Sequence, residues 1–195
     1  MNETAIIILA AGNSSRLGKP KQLLSFYGKP LLVHVVDEAI KAGVAKVLVV
    51  TGFAADEMKD LLAGKNVTII ENVKWNSGMA EGIVLAINAI ISNFPQVENV
   101  IISVCDQPFI NAALFNEMIL KKQTTQKNII ACSYSGTKGV PVLFSKIYFN
   151  ELLELKGAEG AKKILVKYES DVDSFPFEKG SIDIDTAADY ERLQE

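Results

Sequence analysis

The chain has 195 residues, with 20 Lys+Arg against 23 Asp+Glu for a formal net charge of -3; at about 150 residues per domain this predicts a single domain over 1–195. Hydrophobic residues at 49% and charged residues at 22% exclude the apolar-poor, charge-rich signature of disorder. No run of like charges forms a tail or basic patch, so neither nucleic acid nor an anionic membrane is an expected partner. The longest apolar run, Ala5 to Ala11, is too short to span a bilayer, and the N-terminal residues lack the positive region of a leader, so the expected location is the cytoplasm.

The run Ala5-Ile6-Ile7-Ile8-Leu9-Ala10 predicts a strand covered on both faces, stopping at Ala11-Gly12. From Pro30 the apolar positions Leu31, Leu32, Val35, Val36, Ala39 and Ile40 repeat with helical period up to Gly43. The alternation continues with strands over 46–51 and 67–71 and helices over 54–62 and 78–93. A further strand over 100–105 leads through Asp106-Gln107-Pro108 into a helix carrying Leu114, Phe115, Met118 and Ile119. After a strand over 129–132, a turn-rich stretch enters 142–144, where antiparallel or edge pairing is expected. Short helices over 146–153 and 159–168, an extended piece at 171–175, an alternating segment over 181–185 and a last helix capped at Thr186 complete the chain. Strands separated by helical crossovers imply an α/β fold, a three-layer Rossmann-like, mostly parallel sheet with helices on both faces. In such sheets ligands bind beyond the carboxyl ends of the strands. Cys105 and Cys132 sit in strand-like runs and read as buried free thiols. His34, the one histidine, lies beside a helical apolar stripe and reads as structural, and no zinc site is suggested.

The loop after the first strand carries the most chemistry. Small residues at Ala10, Ala11 and Gly12 let backbone N–H groups approach a ligand, and Arg16, Lys19 and Lys21 supply cations suited to a polyphosphate. The spacing from Gly12 to Gly18 is one residue too long for a Walker A loop, and Lys19 precedes Pro20 rather than Ser or Thr; the G-x-G-x-x-G pattern is absent too. Asp106, just past a buried strand at the same sheet edge, fits either a turn or a carboxylate holding Mg²⁺ against nucleotide phosphates. In 181–185 the alternation sends Ile182 and Ile184 to the core and Asp183 and Asp185 to the other face, with Thr186 and Asp189 forming a capping-box-like pair. Around Gly78, the stretch from Trp75 to Gly82 fits both a helix cap by Ser77 and a contact to base or ribose.

These residues resemble the MobA-like nucleotidyltransferases, and within them the molybdenum cofactor cytidylyltransferases. The resemblance rests on L-A-A-G-x-S-x-R-L-G-x-P-K-x-L-L over 9–24, Asn72 to Ala80 with its W-x-x-G-M-A, Asp106-Gln107-Pro108, Gly139-x-Pro141 and Asp183-x-Asp185-Thr186-x-x-Asp189-Tyr190. It implies a nucleotidyltransferase-type sheet and transfer of a nucleoside monophosphate from a nucleotide triphosphate to a phosphate, releasing pyrophosphate. By the same resemblance Ala10, Ala11, Gly12 and Gly78 contact the nucleotide, Arg16 and Lys21 the phosphates, and Asp106 with Asp183 or Asp185 the Mg²⁺. Arg16, Lys21 and Asp106 then form the catalytic set. The Leu9-Ala10-Ala11-Gly12 form of the loop implies CTP, and the implied acceptor is molybdopterin, whose product a molybdoenzyme would receive. The chain departs from the family pattern at Glu81-Gly82, where relatives carry Ser-Ser, at Val140 in place of His, and at Lys162 in place of Arg. These departures bear on the acceptor, leaving a sugar or alditol phosphate, GTP as donor, or a non-catalytic nucleotide-binding module as alternatives.

Overall fold

The computed structural model describes residues 3–15 and 17–193. Its centre is strand β1 (Glu3–Leu9), flanked in parallel by β4 (Lys46–Thr51) and β6 (Val97–Val104), with Ile7 opposite both Leu48 and Ile102. β5 (Thr68–Glu71) extends the parallel side beyond β4. On the other side β8 (Thr137–Ser145) lies antiparallel between β6 and β7 (Ile129–Tyr134), and β9 (Val172–Pro176) closes the edge parallel to β7. Of the two pairings expected for 142–144, the structure has the antiparallel one, in the interior of the sheet. A small hairpin, β2 (Ser25–Phe26) and β3 (Lys29–Pro30), precedes helix α1 (Leu31–Lys41).

Side chains alternate across each strand, so β1 feeds two cores at once. Ala5 and Ile7 pack with Leu48, Val50, Ile83, Ile87 and Phe144 beneath α3 (Met79–Asn93), α5 (Phe149–Leu153) and α6 (Lys162–Lys167). Ile6 and Ile8 pack with Leu31, Val35, Met58 and Phe115 beneath α1, α2 (Ala55–Leu61) and α4 (Ala112–Thr124). Each fully buried Ile or Leu contributes roughly 1.5–3 kcal/mol over its exposed state, which is why the β-branched runs occupy the middle of the sheet. The three-layer α/β architecture follows from the sequence pattern. Among the described residues no helix is long and apolar enough to cross a membrane.

Several local expectations need correction. The strand expected over 100–105 begins earlier, at Val97, where Val97 and Asn99 already pair with β1. The segment 181–185 is not a strand: a 3-10 turn (Glu178–Ser181) leads into irregular backbone, and Ile182 is 40% exposed while Ile184 is fully buried. Ile184 N–H donates to Asp106 O (3.0 Å), so the segment docks onto the β6–α4 loop instead of a strand partner. Ser77 does not cap α3; it ends a 3-10 turn (Trp75–Ser77), and Gly78 precedes the helix at φ 114°. The helices expected over 146–153 and 159–168 are shortened to α5 and α6 by 3-10 and turn geometry. Thr186 does cap α7 (Ala187–Arg192): its hydroxyl accepts from Asp189 N–H, and the Asp189 carboxylate accepts from Thr186 N–H at 2.8 Å.

Candidate active site

The carboxyl ends of β1, β4 and β6 open into a cavity of about 290 Å³ walled by Ala10 to Gly12, Gln22, Val50, Asn72, Trp75, Met79 and Gly82, with Lys21 and Asp106 also lining it. The loop wall is held through its carbonyls. Ala11 O accepts from Phe53 N–H (3.1 Å), and the buried Gln22 side chain donates from Nε2 to Ala10 O (2.7 Å) and Gly12 O (2.9 Å). A trans peptide sends its N–H opposite to its carbonyl, so pinning these three carbonyls fixes the N–H groups of Ala11, Gly12 and Asn13. Among the described residues none of those three N–H groups has a protein acceptor. Successive free amides of this kind form an anion-binding concavity. Further on, Ser14, at φ 52°, accepts from Lys21 N–H through its hydroxyl (3.0 Å), which starts the 3-10 turn Lys21–Leu23 and aims Lys21 at the sheet edge.

There Lys21 Nζ donates to Asp106 Oδ2 (2.6 Å) and Asp185 Oδ1 (3.1 Å). Burial works to lower the Lys21 pKa, but the two carboxylates outweigh it and hold the ammonium above the ordinary lysine value. Asp183 is held above the usual carboxylate value, first by burial and then by the charges of Asp106 and Asp185. The two aspartates expected on one strand face therefore do converge on Asp106, delivered by the docked loop rather than by strand alternation. Arg16, expected on the phosphates, lies outside the described residues, and Lys19 points away to the Tyr190 ring (5.6 Å).

Gly78 lines the cavity, but its lack of a side chain has a second cause. A Cβ there would lie 2.2 Å from Gly157 O, and Ala80 N–H donates to that carbonyl (3.1 Å), so the 157–158 turn seats directly on the start of α3. The other expected contacts, Ala10, Ala11 and Gly12, all line the cavity. Cys105 lines it as well, its buried thiol pushed up to about 12 by desolvation and by Asp106, and it is therefore inert as a nucleophile near neutral pH. Cys132 is also buried and unbridged. His34 donates from Nε2 to Pro108 O (3.1 Å) and packs edge-on against Phe26, a structural placement.

Three residues that carry no assigned role in the sequence motifs shape the site. Gln22 holds the loop carbonyls, and its signal in sequence is adjacency to Lys21. Asn72 accepts from Lys74 N–H (3.0 Å) through Oδ1, an orientation only the oxygen can satisfy, so its NH₂ lies beside Gly82, 3.9 Å from where a Cβ would sit. An Asn just after a strand is a recognisable turn former. Gln107 donates to Gly180 O (2.7 Å) and ties the acidic segment to the β6–α4 loop, a tertiary contact no local pattern announces.

Among the described residues no three His, Cys, Asp or Glu side chains are arranged to cage a metal. Converging carboxylates beside free backbone amides fit instead a divalent cation that takes one or two carboxylates and completes its shell with phosphate oxygens and water.

Residues 6–172 match the model of the MobA-like NTP transferase domain. Among curated proteins, the bifunctional protein GlmU of Saccharophagus degradans is 42% identical over 71 residues, 35% of this chain and 16% of that protein. GlmU of Staphylococcus haemolyticus is 27% identical over 178 residues, 87% of this chain and 38% of that protein, so the chain spans well under half the length of these relatives. The crystal structure of Rv0371c from Mycobacterium tuberculosis superposes with a TM-score of 0.81 at 27% identity, covering 98% of this chain and 96% of that one; the same protein has also been solved in complex with manganese. The fold, the loop after β1 and the match over most of its length agree: the chain belongs to the MobA-like NTP transferase family.

Proposed function

We propose that the protein is a divalent-metal-dependent nucleotidyltransferase that moves CMP from CTP to the terminal phosphate of molybdopterin and releases pyrophosphate. The observation that carries the transferase reading is the set of free N–H groups on Ala11, Gly12 and Asn13 beside the Lys21–Asp106 pair, at one mouth of a cavity whose other walls include Leu9, Val50, Trp75 and Met79. Polyphosphate suits the amides and the ammonium, and a planar base suits the apolar end. Lys21 has three donors and uses two on carboxylates, so one remains for a phosphate oxygen while Asp106 still orients the group. Arg16 would add a second cation from the same loop. Mg²⁺ or Mn²⁺, held by Asp106 with Asp183 or Asp185, would supply charge stabilisation for the reacting phosphates, a reading supported by the manganese complex of Rv0371c. No protein nucleophile is needed: the acceptor phosphate attacks the α-phosphorus in line, and the chain contributes orientation and fixed positive charge.

The choice of CTP rests on the Ala10-Ala11-Gly12 loop and that of molybdopterin on family resemblance. A sugar or alditol phosphate acceptor is the second reading. It is favoured by Val140, which is partly buried against the core and offers only its carbonyl, to Tyr134 O–H (3.1 Å), where related chains carry a histidine. The test is pyrophosphate release with CTP, GTP, ATP and UTP, each with Mg²⁺ or Mn²⁺ and with molybdopterin or a panel of sugar and alditol phosphates. CTP-selective, molybdopterin-dependent release supports the first reading. Release with a sugar phosphate alone supports the second, and no release with any pair contradicts both. The protein is expected in the cytoplasm, and a molybdoenzyme is the expected recipient of the product.

A further inference from the structure

We infer that Gln22 is the positioning residue of the nucleotide loop: its side-chain amide sets the direction of the backbone donors that receive the polyphosphate. The inference rests on the nucleotide-binding reading of this cavity. Gln22 is 1% exposed, and its two N–H bonds go to Ala10 O and Gly12 O, the carbonyls on either side of the one held by Phe53 N–H. With the amide turned over, its oxygen would face two carbonyl oxygens, so the chemistry permits one orientation.

That orientation leaves Gln22 Oε1 buried, with no partner among the described residues. The side chain thus gives both of its N–H bonds to loop carbonyls while its own oxygen stays unpaired, and it holds Ala10 O and Gly12 O away from the face that would receive an anion. The position in the chain points the same way. Gln22 follows Lys21 within one 3-10 turn, so the same turn sends the ammonium to Asp106 and Asp185 and the amide to the back of the loop. Loop shape and cation reach are coupled through a single peptide bond.

Gln22→Met removes both donors at nearly constant volume. The expected result is weaker binding of CTP and of inorganic tripolyphosphate by about tenfold, the size of one well-aligned hydrogen bond to a charged group, measured by calorimetry with Mg²⁺. In turnover the loss falls mainly on the KM for the nucleotide, with kcat reduced by less than about threefold. A crystal structure of the variant should show the Ala10 and Gly12 carbonyls rotated from their present directions. Gln22→Asn, whose shorter arm reaches one carbonyl, should fall between the two and serves if the methionine variant does not fold. Unchanged affinity for both ligands overturns the inference, as does a loss confined to kcat or to the active fraction, which a purely structural role would give. If the wild-type protein binds neither ligand, the nucleotide reading of the site fails. The loop conformation of the variant then still decides this inference, with rotated carbonyls in its favour and unmoved ones against it.

Discussion

The two halves of the sheet reach the same site by different means. On one side β5, β4, β1 and β6 run parallel; β4, β1 and β6 are buried apolar runs, β5 is a half-buried edge strand, and their carboxyl ends open at the cavity. On the other, β8, β7 and β9 mix directions, and the chain returns its acidic residues by docking 181–186 through Ile184 N–H to Asp106 O and Gln107 to Gly180 O. The parallel half builds a rigid receptacle as a consequence of crossover topology, whereas the mixed half contributes chemistry through a few tertiary hydrogen bonds. The first should tolerate changes outside its core; the second should be sensitive to single contacts.

The largest effect is expected where the halves meet. Asp106→Ala should lower kcat/KM by about 10²- to 10³-fold, comparable to removing one preorganised electrostatic group from an active site, with a melting temperature close to wild type because the side chain is not core. Near-wild-type turnover would break the link between this carboxylate and the chemistry. Lys21→Met should cost about as much in transition-state stabilisation, and unchanged kcat/KM would remove the lysine from the reaction. On the receptacle side, Ile7→Ala should destabilise the fold by about 2–5 kcal/mol in chemical denaturation; a smaller loss would mean that the central strand is less tightly packed than its full burial indicates. Ile184 packs in the same core as Ile6 and Ile8, so Ile184→Ala should loosen the docked segment and weaken Mn²⁺ binding in the presence of CTP while the Ile7 core on the other face stays intact. A loss of stability with unchanged Mn²⁺ binding would mean that Ile184 serves the core and not the site. The smallest effect is a pH slope. Burial holds the His34 imidazole below its ordinary value, so the unfolded chain binds that proton more tightly, and stability falls as pH drops through and below about 6.5. His34→Gln should flatten that slope in equilibrium unfolding.

The same division governs what could be read from the sequence. The parallel half was legible because continuous runs such as Ala5 to Ala10 and the helical stripe from Leu31 to Ile40 are set by burial on two faces, a local signal. The loop residues Ala10 to Gly12, Lys21 and Asp106 were legible from small residues, cations and a carboxylate placed at strand ends. The path of 181–185 was not: its alternation imitates a strand, while its position is decided by Asp106 O and Gln107, more than seventy residues away. Gln22 is illegible in sequence for a related reason, since its contribution is a pair of hydrogen bonds to carbonyls rather than a pattern. Gly78 was expected to face a ligand, and its steric requirement comes as much from Gly157.

The most direct test of the central claim is pyrophosphate release from CTP and molybdopterin by the wild-type protein and by Asp106→Asn, which keeps the shape of the side chain and removes its charge. The wild-type protein should show metal-dependent release and Asp106→Asn a loss of at least about 10²-fold, with both folded. Equal rates in the two proteins would contradict that claim.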